Sequence, residues 1–221
     1  MEWLDKLKNK LGAPQSKKEG AIHAQHNVVV QPGHKMPDCK EVDDLTASLL
    51  SEALACADYF EKHCGRQLDP EQFGQIVREF LCAFIHFLDR YSFEMYGHEK
   101  RCKITDSIVA LLDHLLHEDH GKFKAIDHIG KGITADRGID TDMLNERNTE
   151  YAGLASGNNT EEAEAEDTMN KFTFAFATHL SYTTRGIKRD FTCVDLAYDL
   201  LAYSLDKLNL DEKLKQFREI Y

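Results

Sequence analysis

An all-α fold is what this sequence predicts: a helical bundle of five to six main helices, with a short N-terminal amphipathic helix on a flexible arm. Three observations carry that prediction. The stretch from Phe73 to Met95 places Phe73, Val77, Phe80, Phe84, Phe87 and Tyr91 at alternating spacings of four and three, the repeat of a helix face turned to a core. Ile76, Leu81, Ile85 and Leu88 cover most of the remaining circumference, so this helix belongs at the centre of a bundle. Asp69-Pro70 immediately before it is a helix start signal, with the aspartate as N-cap and the proline at the first helical position. Further segments of the same period follow, divided by glycines at Gly65, Gly97, Gly121 and Gly186.

Taken in order, residues 1–41 form an amphipathic N-terminal helix and linker arm, and residues 42–221 form the bundle domain. Trp3, Leu4, Leu7 and Leu11 share one side of the first helix, with Lys6, Lys8 and Lys10 around the rest. So short a helix is marginal alone and must dock. Its expected berth is its own bundle or a neighbouring subunit; a membrane surface or a partner is the alternative for residues 1–11. From Gly12 to Lys40, prolines and glycines punctuate a polar stretch in which Val28 to Val30 can pair as a brief edge strand. His23, His26 and His34 fall here without regular ligand spacing.

The first long helix is expected to begin near Asp43 or Asp44 and to end at His63 or Cys64, with Leu45, Leu49, Cys56 and Phe60 inward. The central helix runs from Pro70 to about Tyr96 and stops at Gly97. A basic turn, His98 to Lys103, then leads to a third helix starting at Thr105 or Asp106 and ending at Gly121. Residues 122–140 read as irregular; His128 to Thr134 lacks the spacing of a phosphate-binding loop and has no strand before it. A modest, largely polar helix follows from Asp140 or Thr141 to about Ala155. Another, capped near Asn159, becomes apolar at Phe172, Phe174, Phe176 and Leu180, and the last main helix spans Asp190 to Leu208. Asp211 to Tyr221 adds a short amphipathic piece.

Charge and composition exclude several classes of function. The formal net charge of -11 disfavours nucleic acid, whose phosphates need a basic surface. The longest apolar run, Phe80 to Leu88, is too short to span a bilayer and contains His86. Glu2 and Asp5 interrupt the apolar N-terminal positions, unlike a secretory signal, so a cytoplasmic protein is expected. The six cysteines include no CxxC pair and read as reduced thiols.

Candidate sites are few. Arg78, Cys82, His86 and Asp89 draw a narrow polar line along the central helix, with His179 on a later helix as a partner. A histidine oriented by a carboxylate can move a proton or hold a metal; it can equally fix the register of packed helices. Lys100, Arg101, Lys188 and Arg189 form two Lys-Arg pairs just past glycine stops. They complement helix C-termini, and together they are a candidate contact for an anion. His114, His117 and His120 are the densest histidine cluster, but successive members are turned 60° apart on a helix, so His114 and His117 are at best half a metal site. No ExxH pair supports a di-iron centre, and no cofactor motif is complete. The function expected from these features is non-catalytic: a cytosolic helical adaptor, regulator or subunit acting through a protein partner or as a homo-oligomer. The alternative is an enzyme or sensor built on the His86 and Asp89 pocket, with or without a metal.

Overall fold

The computed structural model describes residues 39–118, 139, 141–154, 161–185 and 191–219. The expected N-terminal helix and arm lie outside them up to residue 38, as do the histidines of that arm and residues 122–138. The described chain is an all-α bundle. Five long helices, α1 (Lys40–His63), α2 (Pro70–Glu118), α3 (Thr141–Leu154), α4 (Glu161–Arg185) and α5 (Phe191–Leu208), are followed by the short α6 (Leu210–Lys215) and a 3-10 turn at Gln216–Glu219.

Helix α1 buries the expected stripe of Leu45, Leu49, Cys56 and Phe60, widened by Leu50, Leu54 and Ala57. It starts a turn earlier than Asp43, with Cys39 at the N-cap, and its C-terminus closes where expected. The Cys64 amide donates to the Phe60 carbonyl at 2.8 Å, and Gly65 takes φ 71, the left-handed conformation that a residue without Cβ adopts cheaply. At the start of α2, Asp69 Oδ1 accepts from the Gln72 amide at 2.8 Å and the Gln72 side chain accepts from the Asp69 amide at 3.1 Å. Two donors that the helix itself leaves open are thereby satisfied reciprocally.

The first arm of α2 is the packing centre, with every residue from Glu79 to Leu88 buried. It lies against α1, α3, α4 and α6. At Gly97 the helix breaks with φ 75 and ψ -173, but residues 98–103, expected as a turn, are already helical. One glycine performs the reversal, so no turn segment is needed. The two arms fold back on each other: Asp89 lies eight residues before Gly97 and Thr105 eight after, and their side chains are 3.3 Å apart. In a continuous helix they would be about 24 Å apart.

Helices α4 and α5 close the bundle against α2 and α1. Arg66 Nη1 donates to the Thr184 carbonyl at 3.3 Å and Gln72 Nε2 to the Thr183 carbonyl at 3.2 Å, so the α1-α2 connection and the first turn of α2 together cap the last turn of α4. Asn209 turns the chain in the left-handed region, φ 45, and α6 then packs under α2, where the Tyr96 hydroxyl donates to the Leu214 carbonyl. None of the six cysteines forms a disulfide. Among the described residues no helix is long and apolar enough to cross a membrane.

Candidate functional site

A polar seam runs where α2, α3 and α4 meet. Helix α3 supplies it from a face that repeats every three to four residues: Leu144, Arg147, Asn148 and Tyr151. Leu144 and Tyr151 are fully buried and hold the helix on α2, which carries Arg147 over Glu79. The pair is bidentate, with Arg147 Nε 3.1 Å from Glu79 Oε2 and Nη2 3.0 Å from Oε1. Gln75 donates to the same carboxylate at 3.3 Å and accepts from Arg78 Nε and Nη2. Burial works against the Arg147 cation, but its hydrogen bonds to Glu79 more than offset this and hold the guanidinium charged.

Further along α2, His86 is packed in aromatic rings. It stacks on Phe172 with centroids 5.6 Å apart and meets Tyr151 edge-on at 5.3 Å. Burial, and then the nearby Arg90 cation, push the imidazole down to about 3, against a smaller upward pull from Asn148, so it is neutral at physiological pH. Tyr151 also has a ring contact to His179, whose Nε2 is 2.9 Å from Glu150 Oε2. The Tyr151 hydroxyl is buried and has no hydrogen-bond partner among the described residues.

The structure brings Arg78, Cys82 and His86 to this seam, with His179 joined to it through Tyr151. Asp89 goes elsewhere. It lies on the same side of α2 as Cys82, but two turns nearer Gly97, where the returning arm covers the helix instead of α3. There it accepts from Thr105 and lies 3.4 Å from Arg101 Nε. Arg101 is 4% exposed and also stands over the Phe93 ring, so this member of the expected anion contact is spent inside the fold. Lys100 Nζ lies 5.5 Å from the Tyr96 ring centroid, while Lys188 and Arg189 fall outside the described residues. His114 is exposed, and the His117 side chain is outside the described part. Among the described residues no group of three or more His, Cys, Asp or Glu side chains is placed to hold a metal ion.

Sequence reasoning passed over two features. The α3 face was hidden because its arginine and asparagine occupy positions where an apolar stripe is sought; the three-to-four spacing of residues 144, 147, 148 and 151 was the available signal. The second lies between α1 and α5. Ser204 donates to Glu52 Oε1 at 3.0 Å, the Cys56 thiol meets Ser204 Oγ at 2.9 Å, and Lys207 Nζ is 2.5 Å from Glu52 Oε2. Because the serine proton goes to Glu52, the thiol donates to the serine oxygen. Desolvation pushes the Cys56 thiol up to about 12, so this chain is a buried tie between helices and not an activated nucleophile.

Outside the core, α4 and α5 enclose an open groove of about 630 Å³. Phe174, Val194 and Tyr198 supply its apolar and aromatic lining, and Asp195 and Asp199, both exposed, its charge. Thr173, 3% exposed, also lines it, and its hydroxyl has no hydrogen-bond partner among the described residues. Phe174 is 42% exposed. No family model, curated protein or solved structure matches this chain. What fold and sites define is therefore a class: an all-α bundle with a closed polar seam and an open, acidic, partly aromatic groove.

Proposed function

We propose that this is a non-catalytic cytosolic adaptor, regulator or subunit that works by protein-protein association, receiving a basic amphipathic helix of its partner in the α4-α5 groove. The observation that carries the reading is the groove itself. Aromatic and aliphatic side chains beside two exposed aspartates complement a helix with an apolar stripe and lysines on its flanks. The polar groups elsewhere support the same reading. Glu79 is saturated by Arg147 and Gln75, and Cys56 is protonated, so neither is poised for acid-base or nucleophilic work. Six thiols without a disulfide suit a reducing compartment.

The test is calorimetric titration with a synthetic basic helix carrying Trp and Leu on one face and Lys on the other. Saturable binding is expected, lost in Phe174→Glu and weakened in Asp195→Lys with Asp199→Lys. Equal binding by wild type and Phe174→Glu sinks the proposal. A second reading has one observation in its favour. Tyr151, whose ring meets His86 edge-on at 5.3 Å, has a buried hydroxyl with no hydrogen-bond partner among the described residues, which fits a sensor that takes a small polar ligand within the seam. A stable His86→Ala protein that still responds to every ligand the wild type binds removes this sensor reading.

A further inference from the structure

Neither side of Gly97 has a complete core of its own. The chain before it supplies α1 and the first arm of α2, and the chain after it supplies the second arm and α3 to α6. Across that division Arg147 pairs with Glu79, Phe80 meets Phe176 edge-on at 5.1 Å, the Cys56 thiol meets Ser204 at 2.9 Å, and Thr105 donates to Asp89. A single residue joins the two sides within α2, with helix leading up to it and helix following it. Gly97 is half-buried, and an added Cβ there would meet nothing within 4 Å. We propose that Gly97 is an exchange hinge whose partner is a second copy of this chain. When the hinge opens, the part after Gly97 completes the bundle of the other copy, and two intact bundles form about a two-fold axis.

The contacts between the arms are symmetric about the hinge. Asp89 and Thr105 stand eight residues either side of Gly97, and Phe93 and Arg101 stand four either side. A second copy related by a two-fold axis near residue 97 offers its Thr105 and Arg101 to Asp89 and Phe93 in the same register, so the arms re-form the contacts of the monomer between copies. What exchange changes is one backbone conformation. Gly97 has φ 75 and ψ -173, a region essentially closed to residues that carry a Cβ, and an open hinge is free to leave it. In the wild type the closed form is favoured, because a one-residue tether gives the two sides a far higher effective concentration for each other than another molecule has. Strain at residue 97 opposes the closed form alone. A Cβ there shifts the balance toward exchange by roughly tenfold per hinge, on the order of a hundredfold for the two hinges of a dimer. The inference is independent of the α4-α5 groove.

The test uses the full chain, refolded from urea over a range of concentrations and followed by size-exclusion chromatography with light scattering. Wild type is expected to be a monomer with a dimer fraction that grows with concentration. Gly97→Ala is expected to reach the same dimer fraction at a roughly hundredfold lower concentration. At dilutions that keep it monomeric, the same variant shows only the stability lost to strain. Complementation separates exchange from side-by-side association. Asp89→Lys and Arg101→Glu each break a contact between the arms, which are 3.4 Å apart at this pair. When the two variant chains exchange, one bundle holds both substitutions facing each other as an opposite-charge pair, and the other holds the native Asp89 and Arg101. Refolding them together is expected to give a 1:1 dimer whose urea midpoint lies above that of either variant alone. A single chain carrying both substitutions checks that the reversed pair is tolerated; if that chain does not fold, the Gly97→Ala shift alone decides. A Gly97→Ala chain that dimerises no more readily than wild type overturns the proposal. So does a tolerated reversed pair whose mixed refolding recovers no stability.

Discussion

Glu79 is 1% exposed in the middle of an aromatic-rich core, and Arg147 pairs with its carboxylate at 3.0 Å. Removing one partner of such a pair leaves an uncompensated buried charge, whereas removing both leaves only a packing problem. Arg147→Met is therefore expected to cost about 3 kcal/mol, at the low end for buried pairs because the Arg147 side chain keeps 16% exposure. Combining it with Glu79→Met recovers most of that loss, a coupling that urea unfolding of the four-protein cycle measures directly. Additive losses in the double variant would show that the two groups act independently. Tyr151 makes the opposite case. Its hydroxyl is buried without a partner among the described residues, so Tyr151→Phe removes a group that gains nothing from burial. Stability is expected to stay within about 1 kcal/mol of wild type or to rise, and a larger loss would reveal a partner for the hydroxyl.

At the scale of the elements, helix periods and stops were legible because they are local. Gly65, Asp69-Pro70 and the apolar repeats of α1, α2, α4 and α5 act within a turn or two of chain, and the helices lie where those signals put them. The region after Gly97 was not legible, because whether a glycine is followed by a turn or directly by a new helix depends on what the second arm packs against. Here Ile104, Ile108 and Leu112 are fully buried, and Asp89 receives Thr105 and Arg101. The two glycines can be compared experimentally, since an added Cβ would meet nothing within 4 Å at either, leaving backbone strain as the difference. Gly97, with φ 75 and ψ -173, lies in a region essentially restricted to glycine, so Gly97→Ala is expected to cost about 1–3 kcal/mol. Gly65→Ala should cost about 1 kcal/mol, as expected for an ordinary helix C-cap. Thermal unfolding of both variants ranks them, and the reverse order would contradict this account of the reversal.

For the whole molecule, the buried imidazole of His86 ties stability to pH. The groups facing it are Arg90 on its own helix, Asn148 and Tyr151 on α3, and Phe172 on α4. Its folded pKa is lowered from 6.5 to about 3, so the folded state excludes a proton that the unfolded chain accepts. The contribution of neutral His86 is complete above about pH 6.5 and is lost as the pH falls toward about 3, with a slope of at most about 1.4 kcal/mol per pH unit. His86→Phe, which keeps the aromatic contacts, should flatten the stability profile between those pH values. Urea midpoints measured at intervals from pH 7 to pH 4 test this, and an unchanged slope would mean that His86 is not the group responsible.

The sequence by itself determined the class of fold, the ends of most helices and the central place of the α2 repeat, because periodicity and capping are short-range effects written in neighbouring residues. It also singled out Arg78, Cys82 and His86 as polar groups that the core must accommodate. Which partners they and Asp89 meet was decided only in the tertiary structure. Asp89 shares a face with Cys82, yet the fold-back at Gly97 gives it Arg101 and Thr105, while α3, polar and weakly periodic, brings Arg147, Asn148 and Tyr151 to the others. A helix face records what can be buried, and the identity of its neighbours depends on contacts tens of residues away in the chain. The groove belongs to that second kind of information: it exists because α4 and α5 pack with Phe174 and Tyr198 beside Asp195 and Asp199, a juxtaposition that no local pattern encodes.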